Sequence, residues 1–250
     1  MSLITGVLAD FALAWRLLTT IPLPFLPAAA DRPAGLAAAY YPLVGLILGL
    51  VLAGAGQFFF FFLPPGLAAA LLLALWAGLT GLLHLDGFMD SCDGLLPPRD
   101  PARRLEIMKD SRVGAFGVVG VILLLLIKLN ALAALPPAYR MPALIVIPAL
   151  ARWAMTWAMA RYHLARREGT SVFFSAGLGW RQVIAASVMA GAAALILMNW
   201  WGALMLVLTW VVMTGIARLA MARIAGLTGD VYGAICEVTE TVLLAVIVVF

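Results

Sequence analysis

The chain has 250 residues, of which 65% are hydrophobic and only 11% charged, with a formal net charge of +4 and a mean hydropathy of +1.08. So few charges cannot clothe the surface of a soluble globular domain, so the composition excludes that class and points to a polytopic membrane protein. Two cysteines, Cys92 and Cys236, are too few for a disulfide framework and lack metal-site spacing.

From the N-terminus, residues 1–30 carry Asp10 and Arg16 within an apolar run and lack a basic leader, so they read as an interfacial amphipathic helix and loop, with no cleavable signal. Pro22, Pro24 and Pro27 stop that helix, because proline has no amide hydrogen to give a helix interior. Apolar stretches near the roughly 20 residues needed to span a bilayer follow at 36–62, 66–85, 113–135, 142–160, 182–199, 202–222 and 232–250. The expected fold is therefore all-α: one helical membrane domain over 1–250 with about seven transmembrane helices and no internal repeat. The aromatic runs "QFFFFFLPPG" and "NWWG" mark one membrane interface.

Thirteen of the sixteen basic residues fall on the opposite side, the exceptions being Lys128, Arg140 and Arg152. The positive-inside rule makes that side cytoplasmic, with the N-terminus inside and the C-terminus outside. The expected location is a prokaryotic inner membrane, with lipid and no nucleic acid as partner; homo-oligomerisation is left open.

The acidic residues break the apolar pattern. In "HLDGFMDSCDG", residues 84–94, Asp86, Asp90 and Asp93 stand at i, i+4 and i+7, on one helix face. Three carboxylates on one stripe repel unless they are protonated or share a multivalent cation, and aspartate oxygens suit Mg²⁺, with Mn²⁺ as a substitute. Glu106 and Asp110, again i, i+4, are expected to form a second wall after a turn at 95–98, so that residues 86–112 make an active-site segment. Metal beside basic residues implies phosphate chemistry, with Arg103, Arg104, Lys109 and Arg112 placed to clamp phosphate oxygens.

Asp90-Ser-Cys-Asp93-Gly94 and Glu106-Ile-Met-Lys-Asp110 resemble the motif of the CDP-alcohol phosphatidyltransferases, with Glu for Asp and a shorter loop. Four longer stretches resemble a narrower family, the adenosylcobinamide-GDP ribazoletransferases or cobalamin 5'-phosphate synthases. They are "HLDGFMDSCDG", "LEIMKDSRVGAFG" (105–117), "ARREG" (165–169) and "GLTGDVYGAICEVTE" (226–240), joined by "LLTTIPLP" and "YPLVGLILG". Phe88-Met89 and Leu95 to Pro98 depart from the family pattern but spare the carboxylates.

This resemblance implies a Mg²⁺-dependent enzyme that transfers adenosylcobinamide phosphate from adenosylcobinamide-GDP to α-ribazole, or to its 5'-phosphate, with release of GMP. It implies metal ligation by Asp86, Asp90, Asp93, Glu106 and Asp110, with Asp90, Asp93 or His84 serving catalysis. Asp230 and Glu237, one face of the last span, are expected to bind substrate; Glu240 is expected to pair with Arg152 or Lys128. Arg152, mid-span, needs an anionic partner, and helix pairing and substrate phosphate are equally open to it. Two alternatives remain: a lipid phosphotransferase, which predicts a strict D-x-x-x-D, and a cation or metabolite transporter, which predicts a mid-membrane site and repeats.

Overall fold

A computed structural model describes residues 3–27, 32–166 and 170–249; Arg167, Glu168 and Gly169 of the "ARREG" stretch lie outside them. The helices are α1 (Leu3–Leu18), α2 (Tyr41–Phe62, entered through a 3-10 turn at Ala34–Tyr40), α3 (Pro65–Thr80), α4 (Leu83–Leu95) and α5 (Pro101–Ile107). They continue with α6 (Ala115–Ala134), α7 (Pro137–Arg161), α8 (Thr170–Ser175), α9 (Trp180–Met198), α10 (Trp200–Ile224) and α11 (Gly229–Val248). Among the described residues, α6, α7, α9, α10, α11 and α2 with its 3-10 turn are long and apolar enough to cross a membrane, and α3 with α4 meets that measure only as a bent pair, a broken span or a re-entrant loop. The all-α, multi-span expectation is met.

Two helices form the centre. The most apolar windows of α7 and α11 are 78% and 72% buried, against 28–39% for the other four, so α2, α6, α9 and α10 surround α7 and α11 and turn apolar side chains outward, as lipid-facing helices do. Pro142 and Pro148 sit inside α7, where packed neighbours make interrupted backbone tolerable.

The continuous span expected at 66–85 is broken. Gly81 and Leu82 both have left-handed φ, 61° and 62°, which ends α3 and turns α4 by 89°. The freed carbonyls of α3 are met by Thr20, whose amide donates to Leu79 O at 2.9 Å and whose hydroxyl donates to Gly78 O at 2.9 Å. The "LLTTIPLP" stretch after α1 is thus the clasp of this turn, held in place by Trp15 Nε1 donating to Ile21 O at 2.7 Å. A straight helix would have carried the aspartates away from the bundle; the bend lays α4 against α11 and α6.

Beneath α4 four charged side chains are buried together. Lys128 of α6 donates to Glu237 and Glu240 of α11, each at 2.6 Å, and Arg152 of α7 pairs with Glu240. None of the four is more than 4% exposed. Lys128 also lies over the Trp76 ring of α3, 4.8 Å from its centroid. Two cations and two anions cancel, which is how charges persist in a low-dielectric interior. Arg152 and Glu237, expected among the substrate-binding residues, are engaged here with other side chains, and Glu240 pairs with both of the cations expected for it.

Removing one member leaves its partners uncompensated. Arg152→Leu is expected to destabilise the protein by about 3–5 kcal/mol, read as a lowered melting temperature in detergent. Adding Glu240→Gln should return part of that loss, because it removes the stranded charge. A melting temperature unmoved by Arg152→Leu would contradict the network.

Candidate active site

Helix α4 crosses α11 at two glycines. A methyl group on Gly87 would sit 2.9 Å from Asp230 Cα, and one on Gly233 would sit 2.9 Å from His84 O. Only hydrogen fits at either position, and this close approach sets Asp86 and Asp90 beside Asp230. Asp90 is half-buried and feels the charges of Asp230, Asp86 and Asp93, with Arg166 as the offsetting cation; Asp230 in turn feels Asp86 and Arg166. Asp86 is exposed.

Arg166 reaches this cluster through backbone pairing. Leu227 N donates to His163 O and Ala165 N donates to Leu227 O, both at 2.9 Å, so the backbone of His163 to Ala165 runs beside Leu227 and Arg166 emerges next to Asp230. Its Nη2 donates to Leu105 O at 2.9 Å, which ties the segment to α5.

Asp93 serves a different purpose. It is buried, and its two oxygens accept from Gly114 N at 2.7 Å and Gly117 N at 2.9 Å. These are the N-cap and N3 amides of α6, the pair that a capping box would satisfy locally; here a carboxylate from another helix does so. Gly117 must be glycine, because a methyl group there would stand 2.5 Å from an Asp93 oxygen.

The second acidic wall is not assembled as expected. Helix α5 ends at Ile107, so Glu106 and Asp110 do not share a helical stripe. Glu106 pairs with Arg103 at 2.8 Å and Asp110 with Arg112 at 2.7 Å. The Arg112 hydrogen bonds hold Asp110 down at about 2, and Asp100, the N-cap of α5, is lowered by the backbone amide of Arg103. Arg104 is buried and donates to Gly94 O, Leu95 O and Arg99 O: it closes the C-terminus of α4 rather than facing a ligand. Lys109 is exposed. Arg99 and Arg112 line an open cavity of about 420 Å³ with Asp93 and Asp110.

Among the described residues, no three His, Cys, Asp or Glu side chains stand close enough to hold one ion between them. Asp86, Asp90 and Asp230 nonetheless offer hard oxygen donors with one nearby arginine to offset them. That set fits Mg²⁺, which takes one or two carboxylates and completes its shell with water and substrate phosphate.

A cavity of about 210 Å³ opens beside these carboxylates, lined by Asp86 and Asp230 and, further in, by Tyr41, His84 and Tyr232. His84 is buried, with Nδ1 3.5 Å from Arg152 Nη2. Tyr41, Tyr232, Arg99 and Arg166 were not singled out as site residues in the sequence. For the tyrosines the available signal is a phenol inside an apolar span, which needs a partner when buried.

An all-α polytopic membrane protein whose described helices bring Asp86 and Asp230 to one cavity belongs to the class of integral membrane proteins with an internal polar site. The cobalamin-5-phosphate synthase family matches residues 10–248, and the chain belongs to that family, whose members are transferases. Relatives named adenosylcobinamide-GDP ribazoletransferase include those of Roseiflexus sp., 35% identical over 96% of this chain and 89% of its own, and Geotalea daltonii, 36% identical over 95% and 96%. The Thermosynechococcus vestitus protein of that name is 39% identical over 89% of both chains. No solved structure matches significantly.

The contrast within the acidic stripe is testable by stability alone. Asp93→Asn loses one of two acceptors facing backbone amides and should cost about 1–3 kcal/mol. Asp90→Asn relieves like-charge repulsion and should leave the melting temperature unchanged or raise it. Equal destabilisation by both would mean that the stripe acts as one structural unit.

Proposed function

We propose that the protein transfers adenosylcobinamide phosphate from adenosylcobinamide-GDP to α-ribazole or its 5'-phosphate, releasing GMP, at the cytoplasmic face of a prokaryotic inner membrane. The observation that carries this reading is the meeting of Asp86 of α4 with Asp230 of α11 at the cavity, with Asp90 within the field of both. Family membership supplies the reaction class.

In the proposed reaction the ribazole 5'-oxygen attacks the corrinoid-side phosphorus in line, a new P–O bond forms, and the P–O bond to GMP breaks. Mg²⁺, with Mn²⁺ as substitute, bound by carboxylates of the cluster would offset the charge of the pyrophosphate and the departing GMP. Asp90, half-buried and neighboured by Asp86 and Asp230, is placed to serve as base for the hydroxyl proton. Asp86 and Asp230 flank it as ligands. Arg99, Arg103, Lys109 and Arg112 lie on exposed surface along the same segment. Exposed ion pairs such as Arg103–Glu106 and Arg112–Asp110 contribute little, so both arginines can exchange a carboxylate for a phosphate at small cost. His84 is not needed as the base here, because its Nδ1 lone pair already faces Arg152.

Purified protein incubated with adenosylcobinamide-GDP, α-ribazole and Mg²⁺ should release GMP and form a corrinoid product carrying the ribazole base, both resolved by chromatography. Chelation should stop turnover and Mg²⁺ should restore it. Asp90→Asn should lower kcat by about 10²-fold or more while the protein purifies normally. No turnover by a folded preparation across divalent cations would overturn the assignment.

A further inference from the structure

We propose that the cavity between α2, α4, α7 and α11 seats the heteroaromatic base of the nucleoside acceptor, held by a hydrogen bond from His84, while Tyr41 and Tyr232 hold the adjoining ribose. The inference rests on the reading above, that a ribazole is the acceptor, and assigns the part of the site that selects it.

Three buried polar groups carry the argument. Tyr41 at the start of α2, His84 in the first turn of α4 and Tyr232 in the first turn of α11 are 1%, 2% and 5% exposed. All three line the same cavity. The two phenolic hydroxyls and His84 Nε2 have no hydrogen-bond partner among the described residues. An unsatisfied buried polar atom is costly, and natural structures keep few of them. Three from three different helices, sharing one cavity, are the polar minority that an otherwise apolar ligand pocket uses to orient its ligand. The apolar majority here includes Leu17, Leu18, Met155, Met159 and Phe174.

The hydrogen-bond chemistry narrows the ligand. An arginine can only donate, so the His84 Nδ1 that faces Arg152 at 3.5 Å carries the lone pair, and the neutral ring then has its proton on Nε2. The buried ion network thereby fixes the imidazole tautomer, and His84 offers the cavity a donor. Its counterpart is a ring nitrogen with a free lone pair. The Tyr41 and Tyr232 hydroxyls, which both donate and accept, suit the adjoining ribose hydroxyls.

Size and polarity select among bases. At about 210 Å³ the cavity is smaller than the roughly 300–1,000 Å³ that encloses a drug-sized ligand, so it takes one ring system and not a whole substrate. The benzimidazole base of α-ribazole has one acceptor nitrogen and an apolar carbocyclic edge, which matches one donor and walls of Leu, Met and Phe. Guanine carries polar groups around its edge and would leave them unpaired against those walls. The cavity therefore accepts the acceptor's base and rejects that of the GDP-linked donor. Asp86 and Asp230 at the same cavity place the acceptor's hydroxyl end at the carboxylates.

The test compares α-ribazole with its indole analogue, in which CH replaces the free ring nitrogen. Wild-type protein should show an acceptor KM about tenfold higher for the indole nucleoside, the loss expected for one hydrogen bond. His84→Phe should abolish that discrimination. Tyr41→Phe and Tyr232→Phe, each removing one oxygen, should raise the KM for α-ribazole severalfold and leave the donor KM unchanged. Equilibrium dialysis of labelled α-ribazole without donor should show the same order, and excess guanosine should not compete. Equal KM values for the two acceptors in wild type, or an acceptor KM unmoved in all three variants, would overturn the pocket while ribazole turnover persists. A wild-type protein that neither binds nor converts α-ribazole would remove the acceptor assignment and this inference together.

Discussion

The buried ion network joining Lys128, Glu237, Glu240 and Arg152 is the interaction on which the rest of the structure depends. It links α6, α7 and α11 at the centre of an apolar bundle, where shape complementarity among Leu, Ala and Val side chains would tolerate sliding or rotation of one helix against another. Charges do not tolerate it. A rotation that separated Arg152 from Glu240 would leave both unsolvated, so the network pins the rotation of α11 about its axis. That rotation decides which way Asp230 faces, and through Gly233 and Gly87 it decides where α4 lies.

From this arrangement the polar end of the molecule follows. The acidic stripe of α4 divides by depth into three roles. Asp93, deepest in the packing, is consumed in capping α6. Asp90, half-buried, stands in the field of three other carboxylates. Asp86, exposed, completes the rim with Asp230. The same stripe thus anchors the protein at one end and offers free carboxylates at the other, and the basic segment around α5 is held against it by Arg104 and Arg166 through backbone carbonyls. Arginine suits that task because its fork of donors can satisfy several carbonyls at once.

Much of this was legible in the residues. Hydropathy alone located the spans, since burial of backbone in lipid demands long apolar helices, and the i, i+4, i+7 spacing put Asp86, Asp90 and Asp93 on one face. The pairing of Glu240 with Lys128 and Arg152 followed from the cost of an isolated intramembrane charge. Other placements were not legible. The spacing of Glu106 and Asp110 reads as helical, yet α5 closes before Asp110. Arg104 is indistinguishable in sequence from its neighbour Arg103, but one is buried against α4 and the other is exposed beside Glu106. The break at Gly81–Leu82 is hidden because leucine rarely adopts a left-handed φ.

The sequence by itself therefore determined the class of the protein, a helical membrane enzyme, and the residue types at its polar end, because composition and helical period are local properties. Only the tertiary structure decided which carboxylates meet. Asp230 lies 140 positions from Asp90, and Tyr41, His84 and Tyr232 come from three separate helices; their convergence depends on the glycine crossing of α4 with α11 and on the buried charges that fix α11 in rotation. No spacing along the chain encodes contacts of that kind, since they arise from how helices pack rather than from how each one winds.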